Sequence, residues 1–202
     1  MCELCDTLRL CSFTAHKSVA LFDMYLTVTE SNSSIDLKQL RLLAITSICI
    51  AAKFEEVKLP KISDYVLVCE NLFSEEQIRD AEVSVLQYLD WSINFTTVVE
   101  FLHFFLCQGV VYSNDSMVSA KRLNPGKVGE QMQKYAEFFA DLCLQEFSFY
   151  QYSSLIIASA IICASRFQVG IIDSWPSQLE ELTEQSFDKI EHVFNEVLDF
   201  YE

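Results

Sequence analysis

Glycine and proline are scarce, at four and three in 202 residues. A β-sandwich or barrel needs a turn signal every roughly 8–12 residues, which so few breakers cannot supply, so the chain is expected to be all-α. Basic residues are scarce too. Lys and Arg number 14 against 29 Asp and Glu, a formal net charge of −15. That balance repels a phosphate backbone and argues against nucleic acid as a direct partner. The three histidines, His16, His103 and His192, lie far apart in the sequence. With no glycine-rich phosphate loop and no Ser, Cys or Asp in a nucleophile motif, an enzyme is not expected, and no cofactor is implied. No apolar run is long enough to span a bilayer and no leader pattern opens the chain. An intracellular protein, nuclear or cytoplasmic, with no membrane partner is expected.

Cysteine is present but unpaired in pattern. Cys11, Cys49, Cys69, Cys107, Cys143 and Cys163 are scattered singly, mostly inside apolar helical stretches, as small buried thiols in a reducing compartment would be. Cys2 and Cys5 form a CxxC with only Cys11 nearby. No second CxxC or histidine pair follows at zinc-ligand spacing, so no metal site is expected.

With 51% hydrophobic and 13% aromatic residues the chain folds around a sizeable core. Its most telling stretch is LLAITSICIAAKFEEVKLP, Leu42 to Pro60. Residues 42 to 52 carry no charge on any face, as in a helix surrounded by other helices. Lys53, Glu55, Glu56 and Lys58 then follow at once and Pro60 blocks continuation, so this helix must surface where the charges sit. A cation at a helix C-terminus is favoured by roughly 0.3–1 kcal/mol through the helix dipole, which accounts for Lys53 but not for the two glutamates.

In chain order, residues 1 to 10 read as the last turns of a helix whose beginning is absent, with Leu4, Leu8 and Leu10 apolar. Ser12 or Thr14 caps a second helix to about Val28, with Val19, Phe22 and Leu26 at helical spacing and Asp23 as its polar interruption. TESNSS, Thr29 to Ser34, is a loop, and Ser34 or Asp36 starts the central helix. A short helix spans Ile62 to Glu70. Ser74 with Gln77 forms a capping pair opening a helix from Glu75 to about Asp90, with Ile78, Val85, Leu86 and Leu89 inward. Further helices are expected at about 95–111, 128–145, 151–168, 176–183 and 184–201, with a turn at Asn124-Pro125-Gly126. The last two helices are acidic and read as a solvated face.

The chain also repeats itself. At an offset of 113, LLAITSICIAAKF from Leu42 overlies LIIASAIICASRF from Leu155, so that Lys53 meets Arg166 and Phe54 meets Phe167. At an offset of 109, Glu82 meets Glu191 and Leu89-Asp90-Trp91 meets Leu198-Asp199-Phe200. Two copies of a five-helix unit, each wound on an uncharged central helix, explain both offsets.

AAKFEE at Ala51 to Glu56, the proline-led short helix, AEVSVLQYLDW and FTTVVEFLHFF resemble, in order and spacing, the first cyclin box and its exit into the second. QYSSLIIASAIICASR and SWPSQLEELT resemble the second box. Within the cyclin family, the LQEFSFYQYSSLIIASAIICASR and SWPSQL segments are similar to cyclin J types. The resemblance implies tandem five-helix cyclin-box bundles, residues 1–94 and 95–202, with the first helix of the first box truncated. It implies a regulatory subunit that binds and activates a cyclin-dependent serine/threonine kinase in cell-cycle control, with that kinase as partner. A cyclin-fold scaffold or transcription-associated binding module without kinase activation stands as the alternative.

By the same resemblance, Lys53 and Glu82 hydrogen-bond backbone groups of the kinase's regulatory helix. Ile50, Phe54, Leu86 and Ile93 form an apolar pocket for it, and Glu55 and Glu56 belong to the same kinase-binding motif. Asp23 and Leu42 are positions that hold the box together. The arginine-containing first helix, with the hydrophobic patch that many cyclins use to dock substrates, would fall before Met1.

Overall fold

A computed structural model describes residues 1–29, 36–118 and 124–201. Among these residues there are ten α-helices, one 3-10 turn over Phe147–Gln151 and a single isolated bridge between Met117 and Ile171. The chain divides into two compact units, Met1–Thr97 and Val98–Glu202.

The first unit contains α1 (Cys2–Leu8), α2 (Ser12–Thr29), α3 (Leu37–Glu55), α4 (Ile62–Val68) and α5 (Glu75–Tyr88). Helix α3 is its axis. Leu43 and every residue from Ile45 to Ala52 are buried, and α2 and α5 pack along it. Its small residues, Ser47, Ala51 and Ala52, let neighbouring backbones approach closely, while Ile45, Ile48 and Ile50 each contribute about 1.5–3 kcal/mol by leaving water. Asp36 caps its start in a reciprocal box with Gln39, and Ser74 with Gln77 does the same for α5. The inward face of α5 is Ile78, Val85, Leu86 and Leu89, as the spacing predicts. Leu42 packs half-buried against the cluster of Cys5, Ile45, Ile48, Cys49, Tyr65, Phe73 and Ile78.

The second unit repeats the plan with α6 (Val98–Gln108), α7 (Pro125–Gln145), α8 (Ser154–Gln168), α9 (Ser177–Thr183) and α10 (Phe187–Asp199). Here the axis is α8, buried continuously from Ile157 to Arg166, and α6, α7 and α10 pack against it. In each unit the third of five helices is the buried one.

Three expectations change. The buried face of α2 is not Val19, Phe22 and Leu26, which are half-buried. It is Thr14, Lys17, Ser18 and Leu21, a mostly polar set at i, i+3, i+4 and i+7 that a hydrophobic pattern passes over. Neither Ser12 nor Thr14 supplies that helix's N-cap: a carboxylate from the end of α3 does. Asn124-Pro125-Gly126 is a helix start rather than a turn, because Asn124 accepts from the Lys127 N–H and Pro125 takes the first helical position, where its missing N–H costs nothing. The TESNSS loop beyond Thr29, including Ser34 as an alternative cap, lies outside the described residues.

Candidate partner-binding site

Helix α3 emerges from the first unit at Lys53, one residue beyond the fully buried Ala52. From there the Lys53 ammonium donates to both carboxylate oxygens of Glu82, at 2.6 and 2.7 Å. These residues are 29 positions apart and on different helices, so the fold, not local geometry, joins them. The Lys53 side chain is 52% exposed and that of Glu82 13%. Such a half-open pair adds at most about 1 kcal/mol to stability, yet it leaves one ammonium proton and several carboxylate lone pairs available to a partner.

Apolar surface surrounds the pair. On one side lies a 390 Å³ cleft lined by Cys49, Lys53, Leu59, Pro60, Ile62, Tyr65, Arg79, Glu82 and Val83. Leu59, Val83, Val57 and Phe54 are all exposed. Phe54 stands one residue past Lys53 with 46% of its surface open. Ile50 and Leu86 do not form an open pocket: both are buried in the core with Leu21, Leu43, Ala51, Val85 and Leu89, and Ile93 packs half-buried against that cluster. Ile50 keeps only 2% of its surface. Of the expected site residues, Lys53 pairs with Glu82, Ile50 and Leu86 share a core cluster on which Ile93 packs, and Phe54 stands exposed.

The two glutamates after Phe54 turn inward. Glu55 forms an ion pair with Lys17 of α2, a lysine only 1% exposed. The Lys17 ammonium also lies 4.1 Å from the centre of the Phe54 ring and 5.6 Å from that of Phe95. Glu56 Oε1 accepts from the Cys11 N–H at 2.7 Å and from the Thr14 hydroxyl at 2.8 Å, which caps the start of α2 from the end of α3. Burial alone would push the Glu56 carboxyl up. The donors from the Cys11 amide, the Thr14 hydroxyl and the Cys11 thiol outweigh it and leave the pKa below the usual carboxylate value. The abrupt charge run after the buried helix is therefore half surface and half internal bracing. Sequence reading missed Lys17, whose only signal is a cation on a helix face otherwise free of charge.

In the second unit the residue that the repeat aligns with Lys53 behaves in the opposite way. Arg166 is fully buried, gives two hydrogen bonds to Asp115 at 2.6 and 3.0 Å, and donates to the carbonyls of Val110 and Asp173. Gly170, at φ +84, lets the chain turn back so that the Ile171 N–H reaches the Arg166 carbonyl. Glu191, aligned with Glu82, is exposed. Among the described residues, the cation at the end of the buried helix faces outward with a carboxylate in the first unit and is sealed inside in the second.

Cys49 lines the cleft, and its thiol stays protonated like those of the other buried cysteines. Burial raises Cys5 and Cys49 to about 11 and Cys143 and Cys163 to about 12, which keeps them protonated. Among the described residues no group of His, Cys, Asp and Glu is placed to hold a metal ion, and no helix is long and apolar enough to cross a membrane.

Two five-helix bundles in tandem, each wound on a buried third helix, make this an all-α protein of the tandem cyclin-box class. The family model for the cyclin N-terminal domain matches residues 1–94 and that for the cyclin C-terminal domain matches residues 96–202. The chain belongs to the cyclin family. It is similar to Cyclin-J of Xenopus laevis, 26% identical over 187 residues that make up 89% of this chain and 47% of that protein. It is also similar to the G2/mitotic-specific cyclin-B of Marthasterias glacialis, 29% identical over 152 residues, 75% of this chain and 34% of that one. The chain spans less than half the length of these relatives. A viral cyclin from Herpesvirus saimiri shares the fold, with a TM-score of 0.73 at 18% identity, covering 98% of this chain and 81% of that one.

Proposed function

We propose that this chain binds a cyclin-dependent serine/threonine kinase and activates it, in cell-cycle control, as a cyclin box does. One observation carries the reading: Lys53 and Glu82 meet at 2.6 Å on the open end of the first buried helix. An ammonium donor beside a carboxylate acceptor suits a helix terminus or loop of a partner, whose backbone offers unpaired C=O and N–H groups at the same place. Phe54 and Ile93 bury the partner's apolar side chains next to that polar contact, over a floor of Ile50 and Leu86, the arrangement typical of interface hot spots. Glu55 and Glu56 act from behind, bracing α2 against α3. Residues 1–94 form the kinase-binding box, and residues 95–202 the second box. The name of the Marthasterias glacialis relative, G2/mitotic-specific cyclin-B, supports a cell-cycle role.

The chain contributes no chemistry. It binds the active arrangement of the kinase more tightly than the inactive one, with the regulatory helix turned inward so that its Glu pairs with the ATP-orienting Lys. Moving such an equilibrium from 1:99 to 99:1 takes about 5.5 kcal/mol of differential affinity, which a few well-buried contacts supply.

The test is recovery of a kinase with the tagged chain from its native cells, followed by histone phosphorylation with and without Lys53→Ala/Glu82→Ala. The double variant is expected to stay folded and to lose kinase binding by ten-fold or more. Equal binding and activation by the variant would sink the reading. A kinase that binds without gaining activity would point instead to a scaffold.

A further inference from the structure

The polar face of α2, so far a brace for the end of α3, also touches the exposed ring of Phe54. Lys17 sits there, 1% exposed, with its ammonium paired to Glu55 and held 4.1 Å from the centre of the Phe54 ring. A long cationic side chain is almost never buried so completely without a paired acid, and this one is placed on an aromatic face as well. Phe54 is nearly half open, so part of the same ring is left for a partner to cover.

We propose that Lys17 is a specificity-determining residue for this surface: by occupying the inner face of Phe54 and withdrawing Glu55, it makes the outer face accept neutral side chains and reject cationic ones. The inference rests on the kinase-binding reading for the identity of the partner, but not for the state of the ring. Two physical effects combine. An aromatic ring attracts a cation through the negative potential of its faces, and an ammonium fixed on one face opposes the approach of a second positive charge to the other. Glu55, the acid next to Phe54 in the chain, is already held by Lys17 and is not free to pair with such a cation. The ring is also pinned, so that less side-chain freedom is lost when a partner covers it.

The role is positioning and electrostatic, so its test separates it from mere stability. Without any partner, 4-fluorophenylalanine at position 54 reports the ring's surroundings through its fluorine resonance. Lys17→Met is expected to shift that resonance, whereas Lys17→Arg, which keeps a cation in reach, leaves it nearly in place. With the kinase recovered by the wild-type chain as probe, the kinase side chain that covers Phe54 is changed to Lys. Wild type is expected to discriminate against that kinase, and Lys17→Met to narrow the discrimination by about five-fold, in line with the strength of a partly buried cation on a ring. Melting temperature is followed alongside, and the double variant Lys17→Met/Glu55→Gln, which leaves no lone buried charge, serves if the single one unfolds. An unmoved fluorine resonance, or unchanged discrimination in a folded variant, overturns the inference. If Phe54→Ala leaves kinase binding intact, the kinase-binding reading fails instead, while the fluorine result still decides whether Lys17 governs the ring.

Discussion

Among single residues, the carboxylates divide by what their surroundings do to them. The Glu56 carboxyl lies below its ordinary value because two N–H or O–H donors and a thiol hold the charged form against the opposing effect of burial. A depressed folded-state pKa stabilises the protein above the unfolded value of about 4.5, and that contribution is lost as pH falls through the lower folded value. Glu56→Gln should therefore cost about 1 kcal/mol at pH 7, the usual worth of a helix cap, and should flatten the acid side of the stability profile. Urea titrations at pH 7 and pH 4 measure both, and an equal cost at the two pH values would contradict the capping role. Asp23 has the reverse sign. Burial pushes its carboxyl above the ordinary value of 3.8, so its charge opposes folding at neutral pH and the opposition fades as pH falls. Asp23→Asn is expected to raise the melting temperature at pH 7 and to have little effect below pH 4. A lower melting temperature at pH 7 would show that the carboxylate holds the box together, as the family pattern implies.

The helices show how much the sequence told and where it fell silent. Helix α3 was legible because eleven uncharged residues in a row leave a helix no solvent side, and α5 because Ser74, Gln77 and the Ile78, Val85, Leu86, Leu89 stripe mark its start and its inner face. The tandem arrangement was legible from the match of Leu42–Phe54 to Leu155–Phe167. The extent of α2 was legible but its buried face was not, since that face carries Thr14, Lys17 and Ser18 and hydrophobic periodicity cannot see a polar face whose partners come from elsewhere. The inward turn of Glu55 and Glu56 was hidden for the same reason: their partners Lys17, Cys11 and Thr14 lie about 40 residues away. The aligned cations of α3 and α8 give a direct test of context. Removing one member of a buried pair costs about 3–5 kcal/mol, and Arg166 with Asp115 is such a pair, 0% and 3% exposed. Arg166→Met should therefore unfold the second unit several kcal/mol more readily, while Lys53→Met, at the same place in the repeat, should cost under about 1 kcal/mol. Denaturant melts of the two variants decide it, and equal losses would mean that the two sites are not the opposites that their burial makes them.

For the molecule as a whole, duplication raises the question of how many partners a chain can hold. Both units keep a small-residue axis and a cation at its end, so a symmetric protein would present two binding surfaces. Here the second cation is consumed by Asp115 and two backbone carbonyls, and the acid aligned with Glu82 faces solvent without it. Opening Arg166 for a partner would break four hydrogen bonds and strand a buried carboxylate, a larger penalty than one surface contact returns. The surplus of acid, −15 over 202 residues, adds repulsion between two such chains on one partner, screened beyond about 8 Å at physiological salt. One kinase per 23.2 kDa chain is therefore expected. Native mass spectrometry of the recovered complex should give a single 1:1 species, and its abundance should fall with Lys53→Ala/Glu82→Ala. It should not fall with Glu191→Ala, which removes the counterpart acid from the second unit while leaving Arg166 sealed. A second kinase on the same chain, or loss of the complex on Glu191→Ala alone, would show that the second copy kept a binding surface despite its buried arginine.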